Sequence, residues 1–142
     1  MGFGMDGRCC FVRSDADTRC MARILVIDDE ATLSHVVRRI LESHGHEVLT
    51  ADDGSRGFAS AQRQAPDAIV LDLMMPVMDG FAVLEALRGD ERTESVPVLV
   101  LSAIGNDHTE QQCYRLGATA FMRKPFDSDL LIGLLEDVIT AA

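Results

Sequence analysis

The sequence lacks any apolar run that approaches the roughly 18 to 20 residues of a membrane helix. Near the N-terminus, the apolar stretch CCFV is much shorter than the roughly 7 to 15 apolar residues of a signal peptide. The charged segment RSDAD follows it almost at once. We therefore expect a cytoplasmic protein without membrane contact.

Positive charge is scarce. The chain has 13 lysine and arginine residues against 23 acidic ones, which gives a formal net charge of -10. The basic residues occur singly or in pairs such as Arg38-Arg39, so a phosphate backbone is repelled rather than bound. This pattern argues against direct nucleic-acid binding and favours a cation or a basic protein surface as partner.

Cysteines with the spacing of a metal site are also missing. Cys9, Cys10 and Cys20 lie in the first twenty residues and Cys113 stands alone, without CxxC or Cys/His spacing. We expect free reduced thiols and no zinc.

The chain of 142 residues, 47% hydrophobic, is long enough for one globular domain with a core. Residues 1-20 show neither helical nor strand periodicity and are rich in Gly, Asp and Arg, so we expect a disordered or non-native extension. Residues 21-142 form the predicted domain.

Short apolar runs alternate with amphipathic segments along this domain. RILVI (23-27) is typical of a strand covered on both faces, and a helix is predicted over 31-44 with Gly45 as its stop. The same pair recurs four times: EVLTA then 55-64, AIVL then 80-88, VPVLVLS then 107-116, ATAFM then the last helix near 127-139. Five strands and five helices predict an α/β fold, a five-stranded parallel sheet between helices. The fourth helix offers little to bury beyond Cys113, Tyr114 and Leu116, and it should be the least firmly packed.

Carboxylates follow two of these strands. Asp28 and Asp29 end the first strand and Asp72 ends the third, and parallel strands end at one edge of the sheet. Carboxylates so close repel one another unless a cation neutralises them, and Mg²⁺ prefers such oxygen ligands. Capping of the following helix is an alternative for Asp28 or Asp29, but it explains Asp72 poorly because the next helix starts only near Gly80.

Two further strand ends carry polar groups, Ser102 after the fourth strand and Lys124 after the fifth. Together with the acids they would surround a phosphoryl group on Asp72 with a hydroxyl, an ammonium and a metal site.

The segments VIDDE, LDLMMPVMDG, LSA and KPF, in this order and spacing, resemble the receiver domain of two-component response regulators, of the single-domain chemotaxis-regulator type. The resemblance covers about residues 22-141. It implies a doubly wound (βα)5, flavodoxin-like three-layer sandwich with strand order 2-1-3-4-5.

The resemblance also implies a chemistry for the acids. Asp72 would be the phosphoacceptor for the phosphohistidine of a sensor histidine kinase or His phosphotransfer protein. Mg²⁺ would be held by Asp29, Asp72 and the backbone carbonyl of Met74, with Asp28 contributing through metal-bound water.

The same resemblance implies a switch. Lys124 would pair with the phosphoryl oxygens, Ser102 would move toward them, and Phe121 would turn inward, changing a protein-binding surface on the fourth helix, fifth strand and fifth helix for an unknown downstream target. The module would then self-dephosphorylate and is not expected to be an enzyme of metabolism. A cis Lys124-Pro125 bond is expected.

Other functions remain open. The chain could be the receiver fragment of a larger response regulator or hybrid kinase. An aspartate-nucleophile phosphatase would need a second Asp where Met74 stands. A flavin carrier of the same topology needs a phosphate loop that DDEAT would repel, and phosphotransfer through His35 is disfavoured by its expected exposure on a helix.

Overall fold

The computed structural model describes residues 22-73, 79-103, 107-124 and 127-141. The strands are β1 (Arg23–Ile27), β2 (Glu47–Ala51), β3 (Ala68–Asp72), β4 (Val98–Ser102) and β5 (Ala120–Arg123). The helices are α1 (Ala31–Ser43), α2 (Gly54–Gln64), α3 (Gly80–Arg88), α4 (Asp107–Arg115) and α5 (Ser128–Ala141). Residues 1-20, expected to form an extension, lie outside the described residues.

The five strands form one parallel sheet in the order β2-β1-β3-β4-β5, which confirms the predicted topology. In the register, Ile27 of β1 lies beside Leu71 of β3 and Asp72 beside Leu101 of β4. All strands therefore end at one side of the sheet, here called the carboxyl edge, and begin at the opposite side, the amino edge.

Helices cover both faces of the sheet, because the central strands are apolar on both sides. Ile24 and Val26 of β1 pack into one cluster with α1 and α5. Leu25 and Ile27, which point the other way, pack into a second cluster that includes residues of α2, α3 and α4. The result is the expected three-layer sandwich.

The helix ends agree closely with the sequence signals. α1 ends at Ser43, and Gly45 beyond it has φ +88°, a conformation that favours glycine. The predicted fifth strand began two residues too early. Ala118 is instead part of the turn that closes α4, since its N–H donates to the carbonyl of Cys113 at 2.9 Å.

The fourth strand also starts later than predicted, at Val98 rather than Val96. Pro97 has no N–H to give to a ladder. Among the described residues, no helix is long and apolar enough to cross a membrane. Cys113 is a buried free thiol.

Candidate functional site

Three carboxylates meet at the carboxyl edge. Asp28 follows β1 and Asp72 ends the neighbouring strand β3. The residues directly before them, Ile27 and Leu71, lie side by side in the sheet. One oxygen from each of Asp28, Asp29 and Asp72 lies within 4.8 Å of the others. Asp28 and Asp72 are buried, whereas Asp29 is exposed to solvent. The group has the close spacing and the hard oxygen donors that suit a divalent cation.

The Lys124 ammonium lies among these acids. It follows β5, and its Nζ is 3.2 Å from Asp72 Oδ1 and 3.9 Å from Asp28 Oδ2. Its side chain is mostly buried. A fixed cation beside two buried carboxylates neutralises part of their charge and would also pair with an anionic group attached to Asp72.

The pKa of Asp28 is raised from its ordinary 3.8 to about 6, mainly by burial. Within that net shift, the N–H of Glu30 and the charge of Lys124 lower the pKa, while the charge of Asp72 and a side-chain hydrogen bond with it raise it. One lysine therefore does not compensate Asp28 fully for its lost hydration. A divalent cation would supply the missing positive charge.

Helix capping accounts for only part of this arrangement. The N-cap of α1 is Glu30, whose side chain makes no capping hydrogen bond, although its N–H donates to Asp28 Oδ1 at 2.8 Å. The N-cap of α3 is Asp79, whose side chain accepts from the N–H of Ala82. Asp72 therefore does not cap the helix that follows it, and capping gives no reason for its position.

The two predicted switch residues lie on adjacent strands. Ser102 is the last residue of β4 and is fully buried. Phe121 is half-buried in β5, opposite Val100, and packs against the core cluster on the α2-α3-α4 side. An open cavity of about 450 Å³ at the carboxyl edge is lined by Asp29, Glu30, Asp72, Ala103 and Lys124. Ser102 stands next to this cavity in sequence but does not line it.

Two predicted features fall on residues that the structure does not describe. These are the backbone carbonyl of Met74 as a metal ligand and the cis bond between Lys124 and Pro125. The described part of the metal site is thus the set of three carboxylates.

A second concavity was not predicted from the sequence. A groove of about 860 Å³ runs between α1 and α2 and opens beside Asp28 and Asp29. Its walls include His35 and three arginines. Two of these arginines pair within their own helical region, Arg38 with Glu42 and Arg56 with Asp52. The residues that line the groove recur at i, i+3 and i+4 on each of the two helices, and this spacing is the only feature of the sequence that indicates the groove.

Two polar anchors at the amino edge were missed as well. The Arg88 guanidinium donates four hydrogen bonds to main-chain carbonyls, and the buried His46 ring accepts the N–H of Ala22 at 3.3 Å. His46 Nε2 also lies 3.5 Å from Glu136 Oε2 of α5. Neither residue belongs to a motif, so the sequence offered no signal for them.

Comparison with known proteins agrees with this geometry. Residues 24-136 match the family model described as response regulator receiver domain. The chain is 45% identical over 112 residues to the DNA-binding dual master transcriptional regulator RpaA of Synechocystis. The match covers 79% of this chain and 46% of RpaA, so the chain spans about half of that relative's length.

Two solved structures are similar over nearly their whole length. Chemotaxis protein CheY4 of Vibrio cholerae is 35% identical with a TM-score of 0.79, covering 83% of this chain and 98% of CheY4. The receiver domain of sensor histidine kinase PA1611 from Pseudomonas aeruginosa, solved with a magnesium ion coordinated in its active site cleft, is 30% identical with a TM-score of 0.79. It covers 84% of this chain and 98% of that domain. With the family model matching well over half of its length, this chain belongs to the response regulator receiver domain family.

Proposed function

We propose that Asp72 is the phosphoacceptor of this receiver, and that its donor is the phosphohistidine of a sensor histidine kinase or His phosphotransfer protein. The observation that carries the proposal is the environment of its carboxylate. Asp72 is buried beside two further acids and has the Lys124 ammonium 3.2 Å from Oδ1. Nucleophilic carboxylates need a neighbouring cation to balance the charge that an incoming phosphoryl group brings.

The transfer involves one bond formed and one broken. An oxygen of the Asp72 carboxylate attacks phosphorus, the P–N bond to the donor imidazole breaks, and the leaving nitrogen takes up a proton. Lys124 is placed to neutralise one oxygen of the transferred group, since its ammonium already contacts Asp72. Hydrolysis of the resulting acyl phosphate returns the carboxylate, which is the self-dephosphorylation expected of a signalling module.

The residues fit Mg²⁺ as the cofactor. Three carboxylates within 4.8 Å offer hard oxygen donors, and burial leaves Asp28 with a raised pKa that a cation would lower. Asp29 and Asp72 would ligate the ion, with the Met74 carbonyl as a third protein ligand and Asp28 acting through a metal-bound water. Bound Mg²⁺ supplies charge stabilisation to the transferring phosphoryl group.

The output is a change in a protein-binding surface formed by α4, β5 and α5. Ser102 ends β4, the strand beside Asp72, and the chain continues from there to α4. A hydroxyl drawn toward a phosphoryl group would therefore move the start of that helix. Phe121 lies on β5 beneath α4 and is the residue we expect to repack. A phosphoryl group adds nearly two negative charges, enough to bias such an element.

Partners are a histidine kinase or His phosphotransfer protein and a downstream protein target. We place the protein in the cytoplasm, as expected from the sequence. RpaA extends well beyond the matched region, which supports the variant of this proposal in which the chain acts as the receiver part of a larger regulator.

Incubation with Mg²⁺ and a small acyl phosphate, read by intact-protein mass spectrometry, tests the proposal. One phosphoryl adduct is expected on the wild type and none on Asp72→Asn. Asp52→Asn is the matched control, because Asp52 is an exposed carboxylate just past the end of β2 and should leave the adduct intact. An adduct that persists in Asp72→Asn would reject Asp72 as the acceptor.

A further inference from the structure

Gly80, the first residue of α3, lies directly against the main chain of the proposed phosphoacceptor. A Cβ placed on it would be 2.6 Å from Leu73 Cα and 2.9 Å from Asp72 O, closer than non-bonded atoms can approach. Its φ is not positive, because among the described glycines only Gly45 and Gly117 have a positive φ. The position therefore requires glycine for space and not for its backbone conformation.

A hydrogen bond joins the same two segments. The N–H of Gly80 donates to Leu73 O at 2.9 Å. The N–H of Leu73 donates to Leu101 O of β4 at 3.4 Å, which is a longer bond. Leu73 is itself buried. The main chain just after Asp72 is thus held by a shorter hydrogen bond to the start of α3 than to the neighbouring strand.

The start of α3 has little freedom to retreat. Asp79 caps the helix, and its side chain accepts the N–H of Ala82 at 3.0 Å. The helix also buries three apolar side chains completely, those of Val83, Leu84 and Leu87. All five residues of β3 are buried as well. Interiors packed in this way transmit a displacement, so an atom added at Gly80 would push on the peptide that joins Asp72 to Leu73.

The Asp72 carboxylate depends on this peptide for its position among its neighbours. Lys124 Nζ lies 3.2 Å from Oδ1, and one oxygen from each of the three acids lies within 4.8 Å of the others. In phosphoryl transfer the attacking oxygen must be in line with the bond that breaks, and this alignment tolerates little displacement. A change in the main chain at Asp72 would therefore disturb the attack before it disturbed the fold.

We propose that Gly80 is a positioning residue for phosphoryl transfer. The absence of a side chain lets α3 rest on the main chain of Asp72 and Leu73, and this contact fixes the Asp72 carboxylate beside Lys124 and the other acids. The inference rests on the proposed function, because the carboxylate so positioned is the nucleophile. Gly80 acts through the main chain of Asp72 and contributes no functional group of its own.

The kinetics of adduct formation test this role. Wild type and Gly80→Ala are incubated with saturating Mg²⁺ and increasing concentrations of a small acyl phosphate, and adduct formation is followed by intact-protein mass spectrometry. We expect the maximal rate to fall about 10-fold in Gly80→Ala, because the nucleophile is no longer aligned. The donor concentration that gives half of that rate should change by less than about 2-fold, because the charges that attract the donor are all retained.

Gly57→Ala is the matched control. Gly57 of α2 is packed as tightly as Gly80, since a Cβ on it would lie 2.6 Å from Ile27 Cδ1, but the three nearest atoms all belong to the Ile27 side chain. This variant should lose stability in urea unfolding, as Gly80→Ala does, and should keep its rate of adduct formation within about 2-fold of the wild type. An equal loss of rate in both variants would show that destabilisation alone slows the reaction, and it would overturn the proposal.

A second substitution separates the main-chain contact from side-chain crowding. The Cβ on Gly80 would also lie 2.8 Å from Leu73 Cδ2, an atom that valine lacks. The double variant Gly80→Ala/Leu73→Val should therefore be more stable than Gly80→Ala, and it replaces Gly80→Ala if that variant does not fold. It should remain slow relative to Leu73→Val, because the contacts with main-chain atoms persist. A double variant as fast as Leu73→Val would overturn the role of the main-chain contact.

The outcomes separate the role of Gly80 from the function on which it rests. Absence of any adduct on the wild type, or an adduct that persists in Asp72→Asn, would overturn the proposed function and this inference together. A normal adduct on the wild type that forms at the same rate in Gly80→Ala would overturn the role of Gly80 alone. A slow Gly80→Ala beside an unaffected Gly57→Ala is the expected result.

Discussion

Polar side chains have different partners at the two edges of the sheet. At the amino edge, charged and polar side chains satisfy main-chain groups: Arg88 donates to four carbonyls, and Asp67 accepts the N–H of Arg23 at 2.8 Å. At the carboxyl edge, Asp28 and Asp72 are buried beside each other with Lys124 as their described cation. The amino edge is stabilised by hydrogen bonds within the fold, whereas the carboxyl edge keeps negative charge that a ligand can neutralise.

This difference suggests a division of labour within the domain. Hydrogen bonds completed within the fold resist displacement, so the amino edge provides a fixed frame. Buried like charges raise the free energy of the folded state, so the carboxyl edge gains most when a cation or a phosphoryl group arrives. Substitutions at the two edges should therefore change stability in opposite directions.

The largest effect is expected from removing the Arg88 guanidinium at the amino edge. Arg88→Met should lower the free energy of unfolding by about 3 kcal/mol, because hydrogen bonds to a charged donor are lost and carbonyls are left without partners. Urea unfolding followed by circular dichroism measures it. Arg92→Met, on the exposed side of the same connection, should change stability by less than about 0.5 kcal/mol. Equal losses in the two variants would contradict the comparison.

Asp28→Asn at the carboxyl edge should have the opposite sign. The rise in the pKa of Asp28 from 3.8 to about 6 corresponds to at most about 3 kcal/mol, at about 1.4 kcal/mol per pH unit. We expect the variant without metal to be about 2 kcal/mol more stable than the wild type at pH 7. The amide retains an oxygen for the N–H of Glu30, so that hydrogen bond is weakened rather than lost.

The same carboxyl makes this difference depend on pH. Because its pKa is higher in the folded state, folding takes up a proton between about pH 4 and 6, and the wild type loses stability as pH rises through this window. The stability advantage of Asp28→Asn should therefore shrink as pH falls from 6 to 4. Unfolding curves of both variants at several pH values, without metal, measure the difference. An advantage that does not vary with pH would show that Asp28 is not the titrating group.

Magnesium should reverse the order of the two proteins. Mg²⁺ neutralises the acids, so it should stabilise the wild type and stabilise Asp28→Asn much less. Protons compete for the same carboxylate, so the apparent affinity of the wild type for Mg²⁺ should fall as pH drops below about 6. Thermal unfolding with increasing Mg²⁺ provides both readings. Equal stabilisation of the two proteins would exclude Asp28 from the metal site.

The two edges also differ in how far the sequence predicts them. The five strands and the convergence of Asp28, Asp72 and Lys124 were predictable, because apolar runs locate the strands and parallel strands end together. The strand order followed from the resemblance to the family. The role of Arg88 was not predictable. Its acceptors are main-chain carbonyls, which every residue has, so no side-chain pattern marks them. The start of β5 was predicted wrongly for a similar reason. The N–H of Ala118 donates to a main-chain carbonyl in the turn that ends α4, and no side-chain pattern marks that bond.

The smallest effect, about 1 kcal/mol, is the difference between two glycine substitutions, and it isolates the contact between Arg88 and the turn. Gly45 and Gly117 both have positive φ, but a Cβ on Gly45 meets nothing within 4 Å, whereas one on Gly117 lies 2.6 Å from Arg88 Cγ. Gly45→Ala should cost about 1 to 2 kcal/mol of stability through backbone strain alone. Gly117→Ala should cost about 1 kcal/mol more, because the Arg88 side chain must also move.

A double-mutant cycle then assigns that extra cost. In an Arg88→Ala background, Gly117→Ala should cost about as much as Gly45→Ala does, because the Cγ atom that the new methyl group would meet has been removed. Denaturant unfolding of the single and double variants gives the coupling energy. Zero coupling would mean that the turn holds its geometry without Arg88, and the amino edge would then owe its rigidity to packing around Cys113 instead.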